Sequence, residues 1–360
     1  QNRKMNKRIT WINTIIFLGL LLAAIFFMPQ RAPATSNSES DADNADVNLR
    51  YLESVYKLIQ ENYVDEIDPA LLYKGAMEGM LNSLQDPYTS YIFKDTTAGH
   101  DLEDTTTGVF GGIGVHITKS NVSTPERPAY VEVASPIEGT PGWKAGLQPG
   151  DYIIEIDGVK TEEITQDEVL NMLRGKEGTQ VTIKILRGKN LKFDLTLTRA
   201  IIEVPTIKYT KIGKDIAYIR LIEFNPNSAK RITEAIEKLQ EEGCTKLIFD
   251  LKNNPGGLIT SSIDVASIFL ESGVVVSTKG RARNTSETYN VRRFVKKLPK
   301  DMPIVVLINE GSASASEIVA GALKDHKRAY LVGTRSYGKG LVQSVVQLSE
   351  KELVKITIAR

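Results

Sequence analysis

The sequence predicts a multidomain chain with an N-terminal helical region, a β-rich domain and an α/β domain. Three observations lead there. The chain has 360 residues, and at roughly 150 residues per domain it holds two or three. From about Gly108 to Thr198 it shows short β runs, Gly-rich turns and one helix. From about Glu203 strands and helices alternate, the pattern of a largely parallel sheet.

The N-terminal elements come first. Arg3, Lys4, Lys7 and Arg8 precede the uncharged run Ile15–Met28 (IIFLGLLLAAIFFM). Extended back to Ile9, the run has 20 residues, interrupted by Thr10, Asn13 and Thr14. Two readings stand. Ala32-Pro33-Ala34 offers the small-x-small cleavage site of a signal peptide. About 20 apolar residues are also enough for an uncleaved membrane anchor. Either way cations stay inside, which places the rest outside the cytoplasm, in the cell envelope: membrane-anchored, periplasmic or secreted. Residues 1–31 are thus a signal or anchor segment. Residues 32–47, mostly PATSNSESDADNAD, are a polar flexible linker.

Residues 48–100 read as helical. Leu52, Val55, Tyr56 and Ile59 fall at i, i+3, i+4, i+7. A second helix starts at Pro69 with Asp68 as its N-cap and carries Leu72, Ala76, Met80 and Leu84 before Asp86-Pro87 stops it. This region is expected to be a structural platform or a dimer contact. Residues 101–200 form the β-rich domain. Val131–Val133 and Tyr152–Ile156 are strands, Asp157-Gly158 a hairpin turn, Glu168–Leu173 a helix, and Val181–Leu186 with Phe193–Leu197 a closing pair. Residues 201–360 form the α/β domain. Its elements are the strand Ile216–Ile219, the helix Ser228–Glu242 stopped by Gly243, the strand Lys246–Leu251, a helix near Ser262–Leu270, the apolar strand Ile304–Ile308, a helix carrying Ile318, Val319, Ala322 and Leu323, and the strand Tyr330–Val332. Val354–Ile358 alternates like a strand two residues before the end, so this domain is expected to be cut short.

Composition removes several function classes. Forty-five Lys+Arg against 44 Asp+Glu leave a net charge of +1, without the field that holds nucleic acid. The single cysteine, Cys244, excludes an intrachain disulfide framework. The three histidines, His100, His116 and His326, lie far apart without metal-ligand spacing. No metal or other cofactor is expected, and a histidine base is disfavoured.

Four segments bear on chemistry. Asn309–Glu317 (NEGSASASE) joins a buried strand to a helix. A serine there sits by free helix N–H groups that favour developing negative charge; equally, Ser314 with Glu317 fits a capping box. In Ser336–Gln343 (SYGKGLVQ), Lys339 is flanked by glycines and followed by an apolar pair. Burial lowers a lysine pKa, and a neutral amine serves as a general base; a solvated turn lysine reads the same way. Asn254-Pro255-Gly256-Gly257 is either an oxyanion-binding turn or a plain tight turn. It lacks the Gly-Lys-Ser/Thr ending of a phosphate loop. Phe110–Val115 (FGGIGV) precedes a strand, and such a loop presents N–H groups to a peptide carboxylate while the strand edge pairs with the peptide.

Together these residues resemble the carboxyl-terminal processing peptidases, or tail-specific proteases, over about Tyr51–Arg360. The matching segments are GSASASEI from Gly311, GTRSYGKGLVQ from Gly333, DLKNNPGG from Asp250, and SPIEGTPGWKAGLQPGDYIIEIDG from Ser135, which is typical of the family's PDZ domain. The resemblance implies a crotonase-like α/β catalytic core and a PDZ domain. It implies a serine endopeptidase with Ser314 as nucleophile, Lys339 as general base and Gln343 orienting Lys339. Of the neighbouring serines, Ser312 and Ser316 do not have the 25-residue spacing to Lys339 that Ser314 has. It further implies an oxyanion hole from N–H groups near Gly256 or Gly257 and at Ala315, and tail binding by Gly112, Ile113, Gly114 and Val115. The expected partners are proteins with unstructured, apolar C-terminal tails, the membrane if the N-terminal segment is retained, and a second copy through the helices. The PDZ domain often gates the site in this family. Two departures are visible: Trp143 replaces a small or acidic residue, and Asn253 replaces a glycine before Asn-Pro-Gly-Gly. The competing reading is a PDZ scaffold that binds C-termini without cutting. A trypsin-like PDZ protease needs a His–Asp–Ser triad, and no histidine here stands in such a motif.

Overall fold

A computed structural model describes residues 44–120, 129–282, 285–293, 295 and 297–360. The apolar N-terminal run lies outside these residues. Among the described residues no helix is long and apolar enough to cross a membrane. The chain divides into two compact units, the first ending at Gly75 and the second spanning Ala76–Arg360.

In the first unit the helix Ala45–Asn62 begins where the Asn44 side chain accepts the Asp46 N–H at 3.1 Å. None of its residues is buried, and Leu49, Tyr51, Leu52, Val55 and Leu58 are exposed. A second helix starts at Pro69 after Asp68, whose carboxylate accepts the Ala70 N–H at 2.9 Å. Proline suits this position because its missing N–H is unsatisfied there in any helix.

The second unit contains a β domain with one antiparallel sheet. Its strands Val115–Lys119, Val131–Pro136, Tyr152–Ile156, Gln180–Arg187 and Leu191–Thr198 lie side by side in chain order. Val181, Ile183 and Ile185 alternate inward, as period-two spacing dictates. They pack with Val131, Val133, Ile153, Ile156 and the Val169 and Leu173 side chains of the helix Gln166–Leu173. That helix begins with a full capping box between Thr165 and Glu168. Val115–Lys119 stands at the sheet edge, with one side unpaired within the sheet.

The α/β domain has a five-stranded sheet ordered Ile207–Ile212, Ile216–Leu221, Lys246–Asp250, Ile304–Ile308, Tyr330–Gly333. The first pair is antiparallel and the rest parallel. The helix Ser228–Glu241 buries Ile232, Ala235, Ile236 and Leu239, one stripe at helical spacing. Ile259–Phe269 is buried almost throughout, and Ala315–Asp325 buries Val319, Ala322 and Leu323. A third sheet sets Glu352–Ala359 between Ser90–Phe93 and Val342–Gln347, all antiparallel. It brings residues from before the β domain beside the end of the chain.

Candidate active site

Three neighbouring parallel strands deliver the loops singled out in the sequence. Lys246–Asp250 runs into Asn254-Pro255-Gly256-Gly257, Ile304–Ile308 into the Ser314 loop, and Tyr330–Gly333 into the Lys339 loop. In parallel strands the C-terminal ends lie together, which is where open α/β sheets carry their ligands. The Ser314 strand is the middle one of the three.

The three serines of the Ser314 loop have different fates. Ser312 is fully buried, and its Oγ donates to the Leu251 carbonyl at 2.7 Å. Ser316 is fully buried, and its Oγ donates to the Asn254 carbonyl at 2.9 Å. Both hydroxyls tie the loop to the neighbouring strand end. Ser314 is only half-buried. Its backbone has φ 54° and ψ −114°, a conformation costly for a residue with a Cβ and concentrated at functional sites. The loop tolerates it because it is fixed from several sides: Ala313 N–H donates to the Asn254 carbonyl at 3.0 Å, and Tyr337 N–H to the Ser312 carbonyl at 3.0 Å.

Glu317 ties the serine loop to the lysine loop. Its Oε2 accepts the Ser314 N–H and the Lys339 N–H, each at 2.9 Å. Its Oε1 accepts the Gly338 N–H at 2.6 Å and the Ser336 hydroxyl at 2.7 Å. Burial alone pushes this carboxyl up, but the bonds from Ser336, Gly338, Ser314 and Lys339 outweigh it and hold it below the usual glutamate range. The sequence pattern pointed to Glu317 only as a capping residue. The half of the box in which Glu317 accepts from the N-cap is present, and the same carboxylate also reaches the second loop.

Lys339 is half-buried, with Nζ 4.5 Å from the centroid of the Tyr88 ring. Its pKa lies below that of an ordinary lysine, first through burial and then through repulsion from Lys355, against the attraction of Asp86. No hydrogen bond joins Lys339 Nζ to Ser314 Oγ among the described residues. Gln343 does not contact Lys339 by a hydrogen bond either; its Nε2 donates to Thr357 Oγ1 at 3.1 Å. Tyr88 and Thr357 were not visible as site residues in the sequence, since each lies on a different chain segment from Ser314 and Lys339.

Gly256 lies directly against the serine. A Cβ there meets Ser314 Cβ at 2.8 Å and the Ala315 nitrogen at 3.0 Å, at φ +109°. Its N–H is committed to Asn254 Oδ1 at 2.9 Å. Neither the Gly257 nor the Ala315 N–H donates to an acceptor among the described residues. Of the three positions expected to form an oxyanion hole, these two therefore have N–H groups to offer, and Gly256 supplies the close approach.

In the β domain, Gly112 ends a strand and Ile113 is buried; the Ile113 and Gly114 N–H groups donate to no acceptor among the described residues. Gly114 has φ +74°, and a Cβ there meets Thr140 Cβ at 2.4 Å. Thr140 fixes the loop by donating its hydroxyl to the Gly114 carbonyl at 3.1 Å. The departure at Trp143 leaves the short helix Pro141–Lys144 intact, with the indole exposed. A cavity of about 580 Å³ runs along residues Gly112–Ile117, beside Leu170 and Leu173, and reaches Asn253 and Pro255 next to the serine loop. It thus runs from a strand edge unpaired within its sheet to the turn that follows Lys246–Asp250.

Comparison with known proteins agrees with this organisation. The profile of peptidase family S41 matches residues 215–360, a PDZ domain profile matches 132–187, and the N-terminal domain profile of the activating protease CtpB matches 22–96. A carboxy-terminal-processing protease of Bartonella bacilliformis is 38% identical over 97% of this chain and 78% of its own length. A CtpA-like serine protease of Staphylococcus aureus is 33% identical over 96% of this chain, which spans 66% of that relative. A solved S41 protease structure from Bacteroides fragilis, at 15% identity, covers 86% of this chain and 84% of its own with a TM-score of 0.50, a likeness of fold alone. The N-terminal region, the PDZ domain and the α/β peptidase domain in this order, with 38% identity over 97% of the chain, make the protein a member of the carboxy-terminal-processing proteases of peptidase family S41.

Proposed function

We propose that the protein is a serine endopeptidase that cuts polypeptides near unstructured, apolar C-terminal tails through a Ser314–Lys339 dyad. The observation that carries this is the delivery of Ser314, Lys339 and Gly257 by three adjacent strand ends, with Ser314 the one serine of its loop not locked into the core. Lys339, made less basic by burial, leaves the Tyr88 ring and takes the proton from Ser314 Oγ. The oxygen attacks the scissile carbonyl carbon, and the resulting oxyanion faces the Gly257 and Ala315 N–H groups. The C–N bond breaks, and Lys339 returns the proton to the leaving amine. Water, deprotonated by Lys339, then hydrolyses the acyl ester and restores Ser314. Gln343 orients Lys339 once the lysine has swung towards the serine.

The substrate tail adds as a strand to Val115–Lys119, with its carboxylate at the Ile113 and Gly114 N–H groups, and continues along the cavity towards Asn253 and Pro255. Tail binding gates the site. In this reading residues 101–200 are the PDZ domain, 201–360 the peptidase domain, and 48–100 the helical region through which two copies pair. Residues 1–31 export the chain beyond the cytoplasm or anchor it there. The seating of Lys339 on Tyr88 favours a second reading, a scaffold that holds tails without cutting them.

The test is cleavage of a C-terminal tail library by wild type and Ser314→Ala, with product mapping. Loss of all cleavage in Ser314→Ala supports the dyad. Full activity in Ser314→Ala with loss in Ser312→Ala overturns the nucleophile. Tails that bind tightly to wild type yet stay whole over hours establish the scaffold.

A further inference from the structure

The turn at Asp86-Pro87 reads in the sequence only as a helix stop, but its carboxylate belongs to the surroundings of the dyad. Asp86 Oδ1 accepts the Tyr88 N–H at 3.0 Å and Oδ2 accepts the Thr89 hydroxyl at 2.6 Å. The Thr357 side chain also acts on Asp86, holding its pKa down. Thr357 lies in the central strand of the three-stranded sheet. Its N–H donates to Thr89 Oγ1 at 3.1 Å, and its hydroxyl oxygen accepts from Gln343 Nε2 at 3.1 Å. A hydrogen-bonded path therefore runs from Gln343 to Thr357 and, through the Thr89 hydroxyl, on to Asp86. Two residues beyond Asp86, the Tyr88 ring carries the Lys339 ammonium.

We propose that Asp86 is a positioning residue of the peptidase reaction: through Thr89 and Thr357 it fixes Gln343, and its fixed negative charge sets how readily Lys339 gives up its proton. The proposal rests on Lys339 being the base.

Every charged group facing Lys339 has an assigned direction. Burial disfavours the ammonium, and Lys355 on the strand Glu352–Ala359 repels it. Asp86 attracts it from the turn, and the Tyr88 ring does so through its π face. Glu317 is occupied with the Lys339 main-chain N–H and its three other donors. Tyr337 meets the Tyr88 hydroxyl rather than the lysine. Asp86 itself is held below the usual carboxylate range by the bonds from Thr357, Thr89 and the Tyr88 N–H, so it stays charged throughout the range where Lys339 titrates. Its removal lowers the lysine pKa further. Removal of Thr357's hydroxyl leaves the charge in place and frees Gln343. The two roles thus separate by mutation.

The experiment measures kcat and KM against pH for cleavage of a tail peptide by the full chain, as wild type, Asp86→Asn and Thr357→Val. Wild-type activity must first vanish in Ser314→Ala and Lys339→Ala; activity surviving there sinks the dyad reading and this proposal with it. With the dyad established, Asp86→Asn should move the acidic limb of kcat/KM down by roughly half a pH unit, about a threefold change on that flank. Thr357→Val should lower plateau kcat by about tenfold, with KM and the acidic limb unmoved, because a misplaced orienting group costs rate rather than binding. A limb that stays put in Asp86→Asn overturns the electrostatic role, and wild-type kcat in Thr357→Val overturns the path to Gln343. A 13C titration of the Lys339 ε-carbon in Ser314→Ala, with and without Asp86→Asn, reads the same shift without turnover, and equal titrations refute it.

Discussion

Glu317→Gln is the perturbation that bears most directly on how the site is assembled. The carboxylate has two oxygens, and each accepts two hydrogen bonds. Glutamine keeps one acceptor oxygen and turns the other position into an NH₂ donor. Whichever way the amide settles, two N–H or O–H donors face a donor. Bonds to a charged acceptor contribute about 1.5–3 kcal/mol each. For a half-buried group the lower end applies, so the substitution costs about 3 kcal/mol. In a domain of this size that is a fall of about 6–12 °C in melting temperature. The lost bonds fasten the Ser314 loop to the Lys339 loop, and a shift of about 1 Å between reacting groups costs about 10²-fold in rate. Thermal unfolding and steady-state cleavage of a tail peptide read both effects, with kcat falling and KM within about twofold. The pH dependence has a definite sign. The folded carboxyl lies below its unfolded value, so its contribution is fully present above the ordinary glutamate range and is lost as pH falls through that range to the depressed folded value. Wild type should lose this part of its stability in acid, and Glu317→Gln should lack that loss. A variant with kcat within about twofold of wild type and an unchanged melting temperature refutes the idea that one carboxylate holds the two loops in register.

Three further predictions follow from the same geometry. Gly256→Ala places a methyl 2.8 Å from Ser314 Cβ at a φ of +109°; cleavage should fall by at least about 10²-fold in a chain that still binds tail peptide, as read by fluorescence anisotropy. Lys355→Gln removes a like charge from Lys339, so the lysine pKa should rise and the acidic limb of kcat/KM move to higher pH, opposite in sign to Asp86→Asn. Gly114→Ala drives a Cβ into Thr140 at a φ of +74°; tail affinity should drop about tenfold or more by calorimetry, while hydrolysis of a short peptide without a free carboxylate should change little.

Regular periodicity made much of the chain readable. Ile304–Ile308 is apolar because its sheet is covered by helices, and Ile232, Ile236 and Leu239 mark one face of Ser228–Glu241. The helix Thr97–Thr107 escaped because TAGHDLEDTTT has almost no apolar stripe. Its ends define it instead, with Thr96 accepting the Gly99 N–H and Gly108 closing it at φ 74°. Ser90–Phe93 escaped because its partner, Glu352–Ala359, lies at the far end of the sequence. In the site, Ser314, Lys339 and the paired glycines were legible as motifs because each stands at a strand end between small residues. Asp86, Tyr88 and Thr357 were not, because their roles come from contacts between segments distant in the chain.

The sequence alone determined the order of domains, the strand-to-loop positions of Ser314, Lys339 and Gly256-Gly257, and the scarcity of histidine that makes lysine the expected base. These are local properties: turn residues, burial patterns and residue types. Tertiary structure decided which serines of the loop are tied down, since the Ser312 and Ser316 hydroxyls donate to backbone carbonyls of the neighbouring strand end. It also decided that Glu317 joins two loops, and that Gln343 bonds Thr357 while Lys339 sits on Tyr88. Hydrogen bonds and charges act over a few ångströms of space whatever the separation in sequence, so only the folded chain sets them.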